Sequence, residues 1–174
     1  VSARLGWQIN QAHRLDLTGT YNKMNAQYDS WIAAVDDHAI NRLSTLGATW
    51  SAQWTPQWST RLSINESRQR YETEPSPYRT ETRLRNYLFQ NIWRQGSHTF
   101  TAALERREDK LTNSSITNGK QDRHQNALAL GYGYSNGPHT LQLNMRHDRD
   151  SEFGHKTTGG AAYGFAFAPN WRVT

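Results

Sequence analysis

Leu46-Gly47-Ala48-Thr49-Trp50-Ser51-Ala52-Gln53-Trp54-Thr55-Pro56-Gln57-Trp58-Ser59-Thr60-Arg61-Leu62-Ser63-Ile64 reads as two alternating runs about one turn. Leu46, Ala48, Trp50, Ala52 and Trp54 are apolar, and the residues between them are small or polar. Thr55-Pro56-Gln57 reverses the chain, because proline pre-sets φ for a turn corner and offers no N–H to a ladder. The alternation then resumes as Trp58, Thr60, Leu62 and Ile64 against Ser59, Arg61, Ser63 and Asn65. A period of two on both sides of a short turn predicts an antiparallel hairpin with one apolar and one polar face. Trp54 and Trp58 bracket the turn, where an indole keeps its ring in apolar surroundings and its N–H near water.

The rest of the chain repeats this unit. Val1, Ala3, Leu5, Trp7 and Ile9 alternate towards a turn at residues 11–13 and return as Leu15, Leu17, Gly19 and Tyr21, a strand expected to continue with a more polar pattern to about Asp29, beyond the apolar band. A loop is expected from Ser30 to Arg42, and a second, after the charged run Glu66 to Glu74, carries Pro75 and Pro77. A third hairpin spans about Thr80 to Arg107 around Gln95-Gly96-Ser97. Its first strand is apolar on both faces, and Leu84, Leu88 and Ile92 are expected to point outward rather than Tyr87, Phe89 and Trp93. A polar loop is expected from Asp109 to Gln121. Leu128, Leu130, Tyr132 and Tyr134 then run to Ser135-Asn136-Gly137-Pro138, with the Asn-Gly pair favoured in hairpins, and Leu141, Leu143 and Met145 lead away. After a shorter loop near Asp148 to His155, Ala161, Tyr163, Phe165 and Phe167 reach the turn at residues 168–170 and Trp171. Each tight turn is followed by a ring: His13, Trp58, His98, His139 and Trp171.

Of the 174 residues only 35% are hydrophobic, yet seven are Trp and eight Tyr. No run approaches the roughly 18–20 apolar residues of a membrane helix. A β-barrel strand needs an apolar side chain only at alternate positions, and roughly 9–11 residues cross the apolar layer. The expected fold is therefore all-β: an antiparallel, up-and-down transmembrane barrel segment of about ten strands, with short turns on one side and long loops on the other. Val1-Ser2-Ala3-Arg4-Leu5 already alternates and Trp171-Arg172-Val173-Thr174 closes within a strand, so residues 1–174 are expected to be part of a barrel whose ends lie in a longer polypeptide. Backbone groups in lipid must pair, so such strands either close on themselves or belong to a larger wall. A self-contained small barrel with a structural or adhesion role, and a soluble carbohydrate-binding β-sandwich, predict the same alternation.

There is no cysteine, which removes disulfides and thiolate zinc sites. No nucleophile-elbow, Walker or zinc-hydrolase motif occurs, so no catalytic residue and no cofactor is assigned. The histidines at the turns are read as interfacial, not metal-binding; Asp36-Asp37-His38 offers two hard carboxylates but not the ligand number calcium prefers. The net charge of +5 is carried by Arg-rich strand ends. Inward-facing arginines would pair with Glu66, Glu105 and Asp148, and outward-facing ones would meet lipopolysaccharide phosphates. Nucleic acid is not an expected partner, because the aromatics lie on the apolar face instead of interleaving with basic residues.

Arg146-His147-Asp148-Arg149-Asp150-Ser151-Glu152-Phe153-Gly154, then Thr157-Thr158-Gly159-Gly160-Ala161-Ala162-Tyr163-Gly164-Phe165 and Pro169-Asn170-Trp171-Arg172-Val173, resembles the barrel of TonB-dependent outer-membrane receptors. Trp7 to Leu15 with Thr18-Gly19-Thr20-Tyr21 resembles the cobalamin-receptor branch. The resemblance covers the middle of such a barrel. It implies a bacterial outer-membrane protein, not an enzyme, taking up a scarce large nutrient (cobalamin, or a siderophore or other metal chelate), with lipid and lipopolysaccharide around it. It also implies TonB contacted through a plug domain that this chain does not contain. Ligand contact then falls to the long-loop side, where Tyr28, Trp31, Asp36, Asp37, Tyr78 and Arg79 are the expected residues.

Overall fold

In the computed structural model, which describes residues 1–29, 36–75, 77–168 and 171–173, the chain is one antiparallel sheet whose strands pair in sequence order. Five hairpins make it up. They are β1 (Ser2–Gln8) with β2 (His13–Asp29), β3 (Asp36–Gln53) with β4 (Trp58–Glu74), β5 (Tyr78–Gln95) with β6 (His98–Asn113), β7 (Lys120–Asn136) with β8 (His139–Asp150), and β9 (Gly154–Ala168) with β10 (Trp171–Val173). No helix forms among the described residues.

Residues directly opposite in an antiparallel ladder point to the same side, so the register carries the face of one strand to the next. Trp7 lies opposite Leu15, Leu15 opposite Trp50, Trp50 opposite Leu62, Leu62 opposite Phe89, Phe89 opposite Leu104 and Leu104 opposite Leu128. A second row on that face, nearer the short turns, joins Trp58, Trp93, Phe100, Tyr132, Leu143 and Ala161. The sequence rule for β5 fails here. Phe89 and Trp93 belong to the apolar face, whereas Leu88 stands between Ser63 and Glu105 on the polar one, with Leu84 and Ile92. Both faces of β5 are apolar enough that hydrophobicity alone does not choose, and a slip by one residue exchanges them; the turn and the neighbouring strands fix the parity.

That turn is Gly96-Ser97, with Gly96 at φ 55°, between the paired Gln95 and His98. The next repeats it as Gly137-Pro138, with Gly137 at φ 55°. Asn136 is thus the last ladder residue, opposite His139, and not a corner of the turn. Glycine at the first corner is what a two-residue turn of this hand requires.

The terminal pairs of successive hairpins, Gln8–Arg14, Gln53–Ser59, Gln95–His98 and Asn136–His139, each sit two or three residues further along the register than the one before. Backbone bonds stitch each turn to the next hairpin: Gln53 N donates to Ala12 O, Arg94 N to Gln57 O and Ser135 N to Ser97 O, all within 2.8–2.9 Å. A steady stagger is the geometry of strands tilted in a barrel wall. On the polar face Gly47 leaves room for its neighbours: an added Cβ would stand 2.7 Å from Asn65 Oδ1 and Thr18 Oγ1.

Rings collect at the short-turn edge of the apolar face. His13 stacks on Trp50 at 5.6 Å, Trp54 Nε1 donates to Thr60 Oγ1 at 2.8 Å, and Trp58 Nε1 donates to Asn91 Oδ1 at 3.1 Å. His98 and His139 repeat one contact on later hairpins, with Nδ1 at 2.8 Å from Tyr132 Oη and 2.6 Å from Tyr163 Oη. The two indoles, His98 and His139 have their polar tips satisfied while their rings face outward, as an interfacial girdle requires, whereas Nδ1 of His13 is buried without a partner.

At the opposite end the strands run further than their alternation indicates. β2 runs to Asp29 as expected, but β3 begins at Asp36 instead of beyond Arg42, β6 continues to Asn113 and β7 starts at Lys120, so the connections expected at 109–121 and 148–155 shrink to 114–119 and 151–153. Above the apolar belt both faces are polar and the period-two signal vanishes, yet the backbone ladder continues and ion pairs such as Arg85–Glu66 (2.5 Å) replace apolar contacts.

The sheet is a single layer. Ala52 and Ala127 are the buried apolar residues among those described, while Leu46, Leu104 and Tyr163 are 66%, 55% and 54% exposed. A soluble sandwich buries its apolar face beneath a second sheet; here every described strand belongs to one sheet, in which β1 pairs with β2 and β10 with β9. The architecture is a segment of a larger transmembrane barrel wall with its apolar face towards hydrocarbon.

Nitroxide labels at Leu88 and Phe89 test the parity. The label at Phe89, like labels at Leu130, Leu143 and Phe165, will collide with oxygen dissolved in lipid, and the label at Leu88, like one at Gln142, with a water-soluble relaxant. Leu130→Arg, placed in mid-belt, is expected to destabilise the folded barrel by about 2–4 kcal/mol in a urea titration in lipid, and Ala129→Arg by much less.

Candidate ligand site at the long-strand end

Parity also sorts the residues expected to touch a ligand. Tyr28 lies opposite Asp37 at the end of β2, and both occupy the polar face. Asn41 faces Tyr71, Tyr71 faces Thr80, and Thr80 faces Asn113, all on that side, with Tyr78 one step away opposite Thr73. Tyr71 and Tyr78 meet edge to face, with ring centroids 6.2 Å apart at 64°. The contact is the favourable T-shaped geometry of two ring quadrupoles.

Asn113 anchors the group. Its Nδ2 donates to Tyr78 Oη at 2.9 Å, and its Oδ1 accepts from Ser115 N at 2.7 Å. The connection at 114–119 is tied to β5 as well: Ser114 N donates to Arg79 O at 3.0 Å, and Arg79 N to Ser114 Oγ at 3.1 Å. Asn118 and Gly119, at φ 70° and 65°, turn the chain back into β7. The aromatic pair therefore stands on a stiff rim instead of a free loop. Asp37 Oδ1, on the residue opposite Tyr28, is buried without a hydrogen-bond partner.

Of the expected residues, Tyr28, Asp37 and Tyr78 thus share the inner face. Asp36 and Arg79 do not, because each is adjacent in sequence to an inward residue and alternation turns it outward. Arg79 reaches Glu81 at 3.2 Å on the outer face. Trp31 lies outside the described residues. The same alternation separates Asp36 from Asp37, so the two carboxylates do not form one cation site; no cluster able to hold a metal occurs among the described residues. Tyr71 and Asn113 were missed. Counting by twos from Asn65 through Ser67 and Gln69 leads to Tyr71, but the intervening Arg68 and Arg70 hide that parity. Asn113 joins the group through a partner 35 positions away, which local pattern does not reveal.

Lower on the inner face an ionic network faces the bore. Arg146 Nη1 donates to Glu105 at 2.8 Å, its Nε to Asp148 at 3.0 Å, and Gln125 also donates to Asp148, at 3.1 Å. Arg123 forks onto Asp150 at 2.9 and 2.7 Å. Glu105 and Asp148 so have the inward partners expected of them. Glu66 does not: it binds Arg85 on the outer face, because it shares parity with Ile64.

Comparison with known proteins places this geometry. No family model matches the chain, and no curated protein matches it. Among solved structures, the siderophore receptor PirA from Pseudomonas aeruginosa superposes with a TM-score of 0.82 at 13% identity over 95% of this chain and 30% of its own. A mutant of the ferric enterobactin receptor PfeA from the same organism gives 0.80 at 12% identity over 97% of this chain and 31% of its own. The FrpB iron transporter from Neisseria meningitidis gives 0.74 at 10% identity, over 94% and 33%. The likeness is one of fold, and the chain spans about a third of the length of the proteins it matches.

Asn113→Ala removes the bond between the rim and Tyr78, at a cost of about 1 kcal/mol. Hydrogen exchange at residues 114–119 is expected to accelerate about fivefold while exchange in the belt stays unchanged.

Proposed function

We propose that the chain is wall and outer vestibule of a bacterial outer-membrane receptor for active uptake of a scarce, large nutrient. The observation that carries this reading is the inward cluster of Tyr28, Tyr71 and Tyr78 at the far end of a staggered barrel wall. Flat rings on a stiff rim, with a few polar groups between them, suit a bulky ligand that must be held and then released inward. A wall supplies no energy, so coupling to TonB belongs to a plug domain outside this segment. Outer-leaflet lipopolysaccharide is the proposed surrounding.

The ligand class we favour is a ferric siderophore, because a siderophore receptor and a ferric enterobactin receptor share the wall geometry, as does an iron transporter. Cobalamin is the second reading and rests on the resemblance of the first hairpin. The two separate in binding assays on outer membranes containing the native protein, using radiolabelled ferric chelates and cobalamin in parallel. The double substitution Tyr71→Ala with Tyr78→Ala is expected to weaken binding of the cognate ligand roughly tenfold to a hundredfold. Asp36→Ala, on the outer side, is expected to leave it unchanged. Uptake, though not binding, should cease in cells lacking TonB. Unaltered affinity in the double variant counts against the vestibule, and uptake that persists without TonB counts against the coupling.

A further inference from the structure

Above the belt, the outer face of β2 to β6 sets like charges directly against each other. Lys23 stands opposite Arg42 and Arg42 opposite Arg70; in the adjacent outward row, nearer the belt, Arg68 stands opposite Arg83 and Arg83 opposite Lys110. Directly opposed like charges destabilise a ladder unless something lies between them.

The carboxylates of the face offset this incompletely. Glu72 is shared by Arg42 and Arg70, Glu81 by Arg68 and Arg79, and Glu66 by Arg85 and Arg83. In the row nearer the belt, Arg68 reaches Glu81 at 2.7 Å, but Arg83 and Lys110 find their nearest acids at 3.8 Å, beyond hydrogen-bond length. The side chains of Arg68, Arg83 and Lys110 stay 42%, 33% and 50% exposed, with donors to spare.

Height is the second observation. Arg68 lies four residues beyond Ile64 on the same face of β4, about 10 Å above it for a tilted strand rising ~3.4 Å per residue. Ile64 and its partner Tyr87 are the last apolar pair of that ladder, and Glu66–Arg85 comes next. The cationic row therefore stands at head-group depth, directly over an apolar wall shaped for acyl chains.

We infer that the row Arg68, Arg83 and Lys110 is a docking site for a phosphorylated glycolipid of the outer leaflet, its phosphate between the opposed cations and its acyl chains on the belt below. A phosphate monoester carries about −1.5 to −2 charges, which offsets two or three cations at once, and guanidinium forks match its oxygens. A lone acid would relieve only one. The inference rests on the outer-membrane reading above, and its test separates the two.

The native protein is extracted from outer membranes in mild detergent, and bound lipid is quantified by native mass spectrometry. The wild type is expected to retain bis-phosphorylated glycolipid through delipidation. The triple variant Arg68→Gln, Arg83→Gln, Lys110→Gln is expected to lose it by about tenfold or more, and a double variant of the inner face, Arg107→Gln with Arg123→Gln, to keep it. Refilling with glycolipid of one phosphate should be weaker than with two. Equal retention by the triple variant, equal loss in the inner-face variant, or equal displacement by phosphatidylglycerol overturns the site. A nitroxide at Leu143 in the same preparations reports on the membrane reading itself: lipid contact with no glycolipid effect rejects the site alone, and water contact rejects the reading beneath it.

Discussion

Every backbone N–H and C=O within hydrocarbon must find a partner, and between β1 and β9 the strand-to-strand ladder supplies them. That constraint explains why the pairing runs without a register break from β1 to β9. An unbroken register transmits parity: once Trp50 and Leu62 face one side, the outward or inward sense of every residue up to Phe165 follows. The consequences reach both the lipid surface and the bore.

Stagger is the second outcome of the same ladder. Because each hairpin ends two or three residues beyond its predecessor, the apolar belt crosses the register rows instead of following one. The row that reads Leu62–Phe89–Leu104–Leu128 in the middle of the sheet arrives at His147 and Thr157 on its far side. Membrane depth, not ladder position, decides which residues must be apolar. The switch from Ile64 to Glu66 marks where the outer face of β4 ceases to be apolar; beyond it, one strand face carries guanidinium groups while the other carries tyrosines.

The hairpins, the turns and the girdle were legible because each rests on local chemistry: alternation for the strands, Pro56, Gly96 and Gly137 for the reversals, and rings at His13, Trp58, His98 and His139 for the interface. The faces of β5 were not, since Leu84, Leu88 and Ile92 compete with Tyr87, Phe89 and Trp93 on hydrophobicity alone. The upper strand ends were legible only in part: β2 runs to Asp29 and β4 to Glu74 as expected, but the start of β3, the end of β6 and the start of β7 were read as loop. From Asp36 to Arg42 and from Asp109 to Asn113 the residues are largely polar on both faces, and the same composition serves a loop or a ladder. The grouping at the long-strand end was half legible: Tyr28, Asp37 and Tyr78, chosen for their position near a connection, share the inner face, whereas Asp36 and Arg79 point away and Tyr71 and Asn113 were not singled out.

By itself the sequence determined the period-two strands, the placement of the short turns and the separation into a greasy and a wet face, because each depends on residues within a few positions of one another. The tertiary structure decided which face β5 turns to lipid, how far β3, β6 and β7 outrun the belt, and which tyrosines meet. Those depend on register between strands distant in the chain, and a ladder of uniform backbone bonds fixes register only when its neighbours are in place.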